Sequence, residues 1–343
     1  RRLLLALLLR IARRYVTRVF VTGGSGFVGG ALVERLVQTG DEVVALARSP
    51  ESDAVLSARG ARVARGDLLD EDSLCAAMAG CTLAFNVAGV NTLCVDDPGP
   101  MLRANLEGPP AAIRAAARAG VPRVVHTSSA ATIGEPPGAV GTEQTPHRGW
   151  FLSTYERSKT EGERAALEAA RQAGVELVCV NPSSVQGPGR TGGTARFLLA
   201  FLDGRLKLFV PTTVSLVDIM DCTEGHLLAA EHGAPGERYL LNGMTLTITE
   251  ALSLAGEVAG VEGKPRLLPR RAAITGAWAV ERAFRLVGRQ PPVCREMVRT
   301  LLHGHRYDGS RAERELGLRY ADPRETLRRT VEWARGAGLL RAR

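Results

Sequence analysis

Tyr155 and Lys159 stand four residues apart in the segment Tyr155-Glu-Arg-Ser-Lys159. Because positions i and i+4 of a helix project from the same face, this spacing predicts a lysine ammonium beside a phenol. The cation is expected to lower the pKa of the phenol, which suits proton exchange with an alcohol or a ketone near neutral pH. The strand predicted upstream ends at Thr127-Ser128-Ser129 and supplies a hydroxyl that can hold a carbonyl oxygen. A Tyr/Lys pair alone also arises by chance on exposed helix faces, so the prediction depends on the elements around it.

The first of those elements is the segment Thr17-Arg-Val-Phe-Val-Thr-Gly-Gly-Ser-Gly-Phe-Val-Gly29, which predicts a buried strand turning sharply into a helix. Gly23 allows the tight turn, Gly26 lets the backbone approach a pyrophosphate, and Gly29 permits close packing of helix on strand. The phosphates would sit at the helix N-terminus, where free N–H groups and the helix dipole favour anions. Glycine makes up 38 of the 343 residues, so the spacing alone is weak evidence. A second strand, Glu42 to Ala47, follows directly, and in this context the segment predicts a dinucleotide site.

Strand and helix patterns alternate from Thr17 to about Asn181. This alternation predicts an α/β fold with a Rossmann-type doubly wound parallel sheet and helices on both of its faces. Beyond Pro182 the pattern loosens into shorter pieces, which predicts a smaller C-terminal α+β substrate domain. We therefore divide the chain into an N-terminal extension (1–16), an NAD(P)-binding Rossmann domain (17–181) and a substrate-binding region (182–343).

The bulk composition is that of a globular protein, with 45% apolar and 23% charged residues. The formal net charge of +8 could indicate a nucleic-acid or membrane partner. However, the arginines are spread along the chain and aromatic residues make up only 5%, so we expect no nucleic-acid partner. We expect a small-molecule substrate, with a homodimer as an open alternative.

Six cysteines occur without any CxxC or Cys/His cluster, at positions 75, 81, 94, 179, 222 and 294. This pattern predicts a reducing, cytoplasmic location with neither a disulfide framework nor a metal site. The apolar run near the start, Leu3 to Leu9, is too short to span a bilayer. We interpret it as a dispensable extension, and an amphipathic membrane anchor is the less favoured alternative.

Taken together, these segments resemble the extended short-chain dehydrogenase/reductases, the group of NAD-dependent epimerases and dehydratases. The resemblance runs from about Arg18 to the C-terminus, and its motifs are specific for fold and cofactor class but poorly specific for substrate. The matching segments are Thr22-Gly-Gly-Ser-Gly-Phe-Val-Gly29, Gly66-Asp67, Asn86-Val-Ala-Gly89, Thr127-Ser-Ser129, Tyr155-x-x-x-Lys159, Asn181-Pro182 and Asp308-x-Ser-Arg-Ala-Glu-Arg-Glu-Leu-Gly317.

The resemblance implies a role for each matching residue. Tyr155 would be the acid/base, Ser129 (in preference to Ser128) would bind the reacting oxygen, and Lys159 would contact the nicotinamide ribose. Asn105 matches a helix asparagine that supports the active site, with a satisfied buried polar group as its plainer interpretation. Asp67 would meet the adenine, or cap the turn that follows it. The segment Pro182 to Val185 would hold the nicotinamide. The implied cofactor-binding residues are Gly23, Ser25, Gly26, Phe27, Val28, Gly29, Arg48, Asp67, Leu68, Ala88, Gly89, Tyr155, Lys159, Pro182, Ser183, Ser184 and Val185.

The choice between NAD and NADP depends on the end of the second strand. NAD enzymes commonly place an acid there to bind the ribose 2′-OH, whereas an arginine suits a 2′-phosphate. Here the residues are Leu46-Ala47-Arg48-Ser49, and the first acid is Glu51. Arg48 offers a planar fork of donors and Ser49 a hydroxyl. We therefore predict a preference for NADP(H), with NAD(H) as the alternative and Arg48 then a solvated strand-end residue.

Two features bear on the substrate. Nucleotide-sugar enzymes of the resembled family usually carry an Arg-Asp pair where this chain has Val214-Ser215, although an arginine elsewhere, such as Arg196, could replace it. The segments Asn181-Pro-Ser-Ser-Val-x-Gly-Pro188 and Glu224-Gly-His-Leu-Leu-Ala229 resemble the hopanoid-associated epimerase group, and the chain also looks like dihydroflavonol and hydroxysteroid reductases. Our leading hypothesis is an NADPH-dependent reductase of a ketone on an apolar or cyclic substrate. The alternatives are a nucleotide-sugar epimerase/dehydratase and a non-catalytic cofactor sensor.

Overall fold

The computed structural model describes residues 17–340; the predicted extension at residues 1–16 and its two interpretations lie outside them. Within the described part, twelve strands and twelve α-helices follow one another along the chain. The strands are β1 Arg18–Thr22, β2 Glu42–Ala47, β3 Arg62–Arg65, β4 Leu83–Asn86, β5 Arg123–Thr127, β6 Glu176–Pro182, β7 Ser184–Gln186, β8 Leu208–Phe209, β9 Thr213–Asp218, β10 Arg238–Leu241, β11 Met244–Thr247 and β12 Arg266–Leu267. The helices are Phe27–Gln38, Pro50–Ala58, Glu71–Met78, Gly99–Leu106, Gly108–Ala119, Thr154–Ala173, Ala195–Leu202, Ile219–His232, Ile248–Ala259, Arg270–Leu286, Arg295–His303 and Pro323–Gly336.

Seven strands form one parallel sheet in the order β3-β2-β1-β4-β5-β6-β10. The first six strands have the order of a doubly wound dinucleotide-binding fold, which confirms the predicted Rossmann-type sheet. The reversal of strand order lies between β1 and β4, where Val21 pairs with Phe85. In such sheets, ligands bind outside the carboxyl ends of the strands at this reversal, so the fold itself indicates where the site lies.

The sheet is buried on both faces because helices cover both. Side chains alternate across a strand, so Val19 and Val21 of β1 join one core cluster while Phe20 joins the other. The first cluster includes Leu32 of the helix Phe27–Gln38, and the second includes Ile113 of the helix Gly108–Ala119. A strand buried on both faces needs a continuous apolar run, as in Val19-Phe-Val21.

The C-terminal part is built from smaller pieces. β7, β9 and β11 form a three-stranded sheet, and β8 pairs with β12. A third core cluster, which contains Phe201, Leu252 and Val298, holds the surrounding helices together. β10 returns to the large sheet and pairs with β6, so the two parts of the chain share one sheet across the boundary placed at residue 182.

The expectation of a chain without disulfides is wrong. Cys94, in the loop that follows β4, is bonded to Cys294, which precedes the helix Arg295–His303. The two cysteines are 200 residues apart in sequence, and both are buried. Cys75, Cys81, Cys179 and Cys222 are free, and the last three are buried. The bond ties a loop of the nucleotide-binding part to the C-terminal part.

Among the described residues, no helix combines the length and the apolar character that crossing a bilayer requires.

Candidate active site

A cleft of about 1230 Å³ runs along the carboxyl ends of the parallel strands. The structure brings all seventeen predicted cofactor-binding residues, from Gly23 to Val185, to its lining, together with Ser129. Asn105 does not line the cleft. Residues predicted from segments spread over more than 160 positions therefore meet in one place, as the topology of the sheet requires.

The glycine turn has the geometry that the sequence predicts. Gly23 has φ +71°, and a Cβ there would lie 2.7 Å from the Ala88 backbone. A Cβ on Gly29 would lie 2.2 Å from the Gly23 carbonyl oxygen, so neither glycine can be replaced without movement of the backbone. Gly26 is the N-cap of the helix Phe27–Gln38, whose first turn has no acidic residue. The free N–H groups of that turn face the cleft and are suited to an anion.

A buried polar network holds the loop after β4 against the turn. The Thr22 hydroxyl donates to Asn86 Oδ1 at 2.7 Å and accepts from the Ala88 N–H at 3.1 Å. The Asn86 amide nitrogen lies 3.2 Å from His126 Nδ1. Burial lowers the pKa of His126 to about 3, so its ring is neutral and can accept this hydrogen bond. The network places Ala88 beside Gly23.

Arg48 and Asp67 line the end of the cleft that is expected to hold the adenosine. Arg48 is exposed at the end of β2, and within residues 17–340 no carboxylate pairs with it. Ser49 is the N-cap of the helix Pro50–Ala58, and its hydroxyl accepts from Ser52 N. Asp67 Oδ1 accepts from the Leu69 N–H at 2.9 Å, which is the turn-capping contact of its plainer interpretation.

Tyr155 is half-buried in the first turn of the helix Thr154–Ala173, which Ser153 caps. Burial raises the pKa of the phenol, and the Ser129 hydroxyl and the Arg190 guanidinium oppose that rise. The expected lowering of this pKa by Lys159 is not seen. The phenol therefore holds its proton at neutral pH, which suits a proton donor to a carbonyl oxygen.

Lys159 is buried one turn further along the helix, and its Nζ donates to the Thr127 carbonyl oxygen at 2.8 Å. Burial lowers the pKa of Lys159 to about 8. The Thr127 hydroxyl in turn lies 2.8 Å from His226 Nε2, while His226 Nδ1 donates to the Cys222 carbonyl oxygen. The ammonium thus keeps further N–H groups for a ligand in the cleft.

Asn105 is buried and lies outside the lining of the cleft. Its Nδ2 donates to the Val90 carbonyl oxygen at 2.8 Å and to Ser158 Oγ at 2.9 Å, and its Oδ1 accepts from the Val90 N–H at 2.9 Å. Both its donors and its acceptor are therefore satisfied, as the plainer interpretation requires. The same contacts also connect the loop after β4 to the helix that carries Tyr155 and Lys159.

The segment after β6 contributes unsatisfied polar groups. The Ser183 hydroxyl, like that of Ser128 after the neighbouring strand β5, is buried and has no partner among the described residues. Ser184 is satisfied, because its hydroxyl lies 2.5 Å from Thr194 Oγ1. Both serines line the cleft, so a group bound there could complete their hydrogen bonding.

Sequence reasoning missed the residues that line the outer part of the cleft. They come from β9, from the helix Arg295–His303 and from the segment after that helix, and they include Thr213, Met297, Leu301, His305 and Tyr307. It also missed Arg190, which follows Gly187-Pro-Gly189. These residues follow no spacing rule, and only the tertiary fold brings them together.

Comparisons with known proteins agree with this geometry. The family model described as NAD dependent epimerase/dehydratase family matches residues 19–241. A putative dihydroflavonol 4-reductase of Synechocystis sp. is 33% identical over 331 residues, which cover 94% of this chain and 96% of the relative. The sterol demethylase protein B of Methylococcus capsulatus is 33% identical over 93% of this chain and 99% of the relative. Among solved structures, gox2253 matches with a TM-score of 0.83 and 30% identity, over 95% of this chain and all of that one.

Proposed function

Since this chain belongs to the NAD-dependent epimerase/dehydratase family of extended short-chain dehydrogenases, we propose that it uses NADPH to reduce a ketone on an apolar or cyclic substrate. The chain is an NAD(P)-dependent oxidoreductase. What we propose is its preference for NADPH and the class of its substrate. The observation that carries the proposal is the Ser129, Tyr155 and Lys159 set at the inner end of a cleft whose β9 wall has no charge.

The residues of the cleft fit a nicotinamide dinucleotide. The turn at Gly23 and Gly29 has no room for side chains, and the Ser128 and Ser183 hydroxyls lack partners. When bound, the reduced nicotinamide supplies a hydride to the carbonyl carbon. Ser129 would hold the carbonyl oxygen, and Tyr155 would give its proton to that oxygen. Lys159 would bind the nicotinamide ribose with the N–H groups that Thr127 leaves free.

Arg48 supports NADP(H) over NAD(H). It lies at the end of β2 without a carboxylate partner, and the first acid after it, Glu51, belongs to the helix that Ser49 caps. A guanidinium can bind a 2′-phosphate through two parallel hydrogen bonds. A ribose 2′-OH instead needs an acceptor, and β2 ends without one.

The substrate class is inferred from the outer cleft and from the relatives. The β9 wall presents Thr213, Val214 and Ser215, and Ser215 Oγ is already engaged with Thr245 Oγ1 and the His305 carbonyl. This wall offers no cation for a diphosphate. Dihydroflavonols and sterols, which appear in the names of the two relatives, are cyclic and largely apolar. We infer a ketone of that kind.

A nucleotide-sugar epimerase is the second candidate, and one residue favours it. Arg196 lines the cleft, is exposed, and donates to the Pro292 carbonyl oxygen at 2.7 Å. No carboxylate pairs with it within residues 17–340, so it could take a phosphate. A single exposed arginine would then have to bind a diphosphate, which makes this the weaker candidate.

The test is a screen of nicotinamide oxidation. Purified protein is supplied with NADPH or NADH and with dihydroflavonols, keto-steroids or nucleotide sugars, and absorbance at the nicotinamide band is followed together with product analysis. We expect NADPH consumption with cyclic ketones, absent in a Tyr155→Phe control. If the protein interconverts a nucleotide sugar without net consumption of the nicotinamide cofactor, the proposed reductase function is wrong and the epimerase function takes its place.

A further inference from the structure

Arg190 is a cation that lines the cleft and that no carboxylate of residues 17–340 neutralises. Its Nη1 donates to the Val185 carbonyl oxygen, and its guanidinium lies 5.7 Å from the centroid of the Phe27 ring. Within residues 17–340, no carboxylate lies within ion-pair distance of it. The positive charge of Arg190 also opposes the rise in the pKa of the Tyr155 phenol.

Such an arrangement is unfavourable in the absence of a ligand. Removing a cation from water costs free energy that a carboxylate or phosphate normally repays. Arg190 is half-buried, and burial lowers its pKa, although the group stays charged. One carbonyl oxygen and one ring face offset little of that cost, since a guanidinium has five N–H donors. The remaining donors are therefore open to an anion, and the cleft is where that anion would enter.

The three neighbours of Arg190 indicate which anion it would bind. Phe27 is the first residue of the helix whose N-terminus faces the cleft. Val185 belongs to the segment expected to hold the nicotinamide, and Tyr155 is the expected proton donor. An anion bound among these three residues lies between the helix N-terminus, where the pyrophosphate is expected, and the position expected for the nicotinamide ring. Arg48, in contrast, lies at the adenosine end.

We propose that Arg190 binds the pyrophosphate of the dinucleotide at the phosphate on the nicotinamide side. This assignment rests on the proposed function, because it needs a nicotinamide dinucleotide in the cleft. The planar fork of a guanidinium matches two phosphate oxygens, and the Phe27 ring beneath it fixes the plane of the fork. The site would then hold the two ends of the cofactor with different arginines: Arg48 on the adenosine half and Arg190 on the nicotinamide half.

The test compares a whole dinucleotide with its adenosine half. Binding of NADPH and of 2′,5′-ADP, which lacks the nicotinamide-side phosphate, is measured by fluorescence titration in the wild type, Arg190→Gln and Arg48→Gln. Arg190→Gln should weaken NADPH binding roughly ten- to a hundredfold, the range typical of hydrogen bonds to a charged group, and leave 2′,5′-ADP within about twofold. Arg48→Gln should weaken both ligands. Arg62→Gln is the matched control for a general loss of positive charge, because Arg62 is exposed and lies outside the cleft lining, and it should bind both ligands like the wild type.

The outcomes separate this assignment from the proposed function. If the wild type binds neither NADPH nor NADH, the proposed function fails. If it binds NADH alone, the titrations are repeated with NADH in place of NADPH and with AMP in place of 2′,5′-ADP. If the wild type binds NADPH and Arg190→Gln binds it equally well, the Arg190 assignment alone is overturned. Thermal unfolding without cofactor is the second readout: a ligand-binding arginine can be replaced without a lower Tm, whereas a structural one cannot. If Arg190→Gln does not fold, Arg190→Lys takes its place, and an equal loss of both ligands would overturn the assignment.

Discussion

Lys159 Nζ donates a 2.8 Å hydrogen bond to the carbonyl oxygen of Thr127, the last residue of β5. The bond fixes the ammonium against the end of the central sheet, one helical turn from Tyr155. Burial of the side chain at this position removes the cation from water, which disfavours the charged form and lowers the pKa of Lys159 from 10.5 to about 8.

An alkaline limit on activity follows from this burial. The ammonium is present below pH 8 and is lost as the pH rises through 8, so kcat/KM should fall above that value. The kcat/KM profile reports the free enzyme, to which this pKa belongs. The measurement is kcat/KM with NADPH and an accepted ketone from pH 6 to 10. A profile that stays flat to pH 10 would show that the charge on Lys159 is not needed.

Removal of the Tyr155 hydroxyl should abolish proton transfer and little else. Tyr155→Phe is expected to lower kcat by ~10²–10⁴, the usual contribution of a positioned proton donor. NADPH affinity should change little, because the expected cofactor contacts come mainly from other residues of the cleft. Tyr239→Phe is the matched control, since that tyrosine lies in β10, outside the cleft lining, and its hydroxyl accepts from Ala234 N. Equal turnover in wild type and Tyr155→Phe would reject the assignment.

Local sequence patterns predicted much of the fold. β2 has the predicted bounds Glu42–Ala47, and the glycine turn joins β1 to its helix as expected. The residues of the cofactor cleft were predictable because each stands next to a strand end or on a short motif. Once the sheet is parallel, its carboxyl ends must meet at one edge.

Other features depend on tertiary contacts that no short window contains. β10 is a run of four residues, and it is a strand because β6 offers it an edge. The pairing of Cys94 with Cys294 follows from the packing of the C-terminal part on the loop after β4, and a spacing of 200 residues gives no hint of it. The pKa of Tyr155 depends on burial and on Arg190, so the neighbouring Lys159 predicted the wrong direction.

The Cys94–Cys294 bond should stabilise the fold by joining two walls of the cleft. A native disulfide typically contributes about 2–4 kcal/mol, so Cys94→Ser should lower Tm by several degrees. A reductant should lower the Tm of the wild type and leave that of Cys94→Ser unchanged. Cys75→Ser, which removes a free thiol, is the control. Labelling of the unfolded, unreduced chain should find four thiols; finding six would show that the bond does not form.

Glu135 is buried, and its Oε1 lies 2.7 Å from His305 Nδ1 and 3.3 Å from His303 Nε2. Burial raises its pKa, but the two histidines beside the carboxylate prevail and lower the pKa from 4.5 to about 2. Because the folded pKa is the lower one, the carboxylate stabilises the fold above pH 5, and that contribution is lost as the pH falls toward 2. The shift corresponds to about 3 kcal/mol at neutral pH.

Glu135→Gln should therefore be markedly less stable than the wild type at pH 5, and the gap should shrink by pH 3. Urea unfolding of both proteins at the two pH values measures it. Glu34→Gln, which breaks an exposed pair with Arg59, should change the free energy of unfolding by less than about 1 kcal/mol. A gap between wild type and Glu135→Gln that is the same at pH 5 and pH 3 would contradict the assignment.

Arg48 is expected to set the cofactor preference, because it is the residue that β2 presents to the adenosine end of the cleft. A charge-assisted hydrogen bond to a 2′-phosphate contributes roughly 1.5–3 kcal/mol, so NADP(H) should bind about ten to a hundred times more tightly than NAD(H). Arg48→Asp should reverse that order, since it removes the cation, repels the phosphate and offers an acceptor to the ribose 2′-OH. Arg62→Asp makes the same change of charge at the start of β3, outside the cleft lining, and should leave the ratio unchanged. The measurement is fluorescence titration of both reduced cofactors in the three proteins. If the wild type binds NADH more tightly than NADPH, Arg48 is a solvated strand-end residue without a role in cofactor choice. That result would also favour the epimerase function over the reductase function.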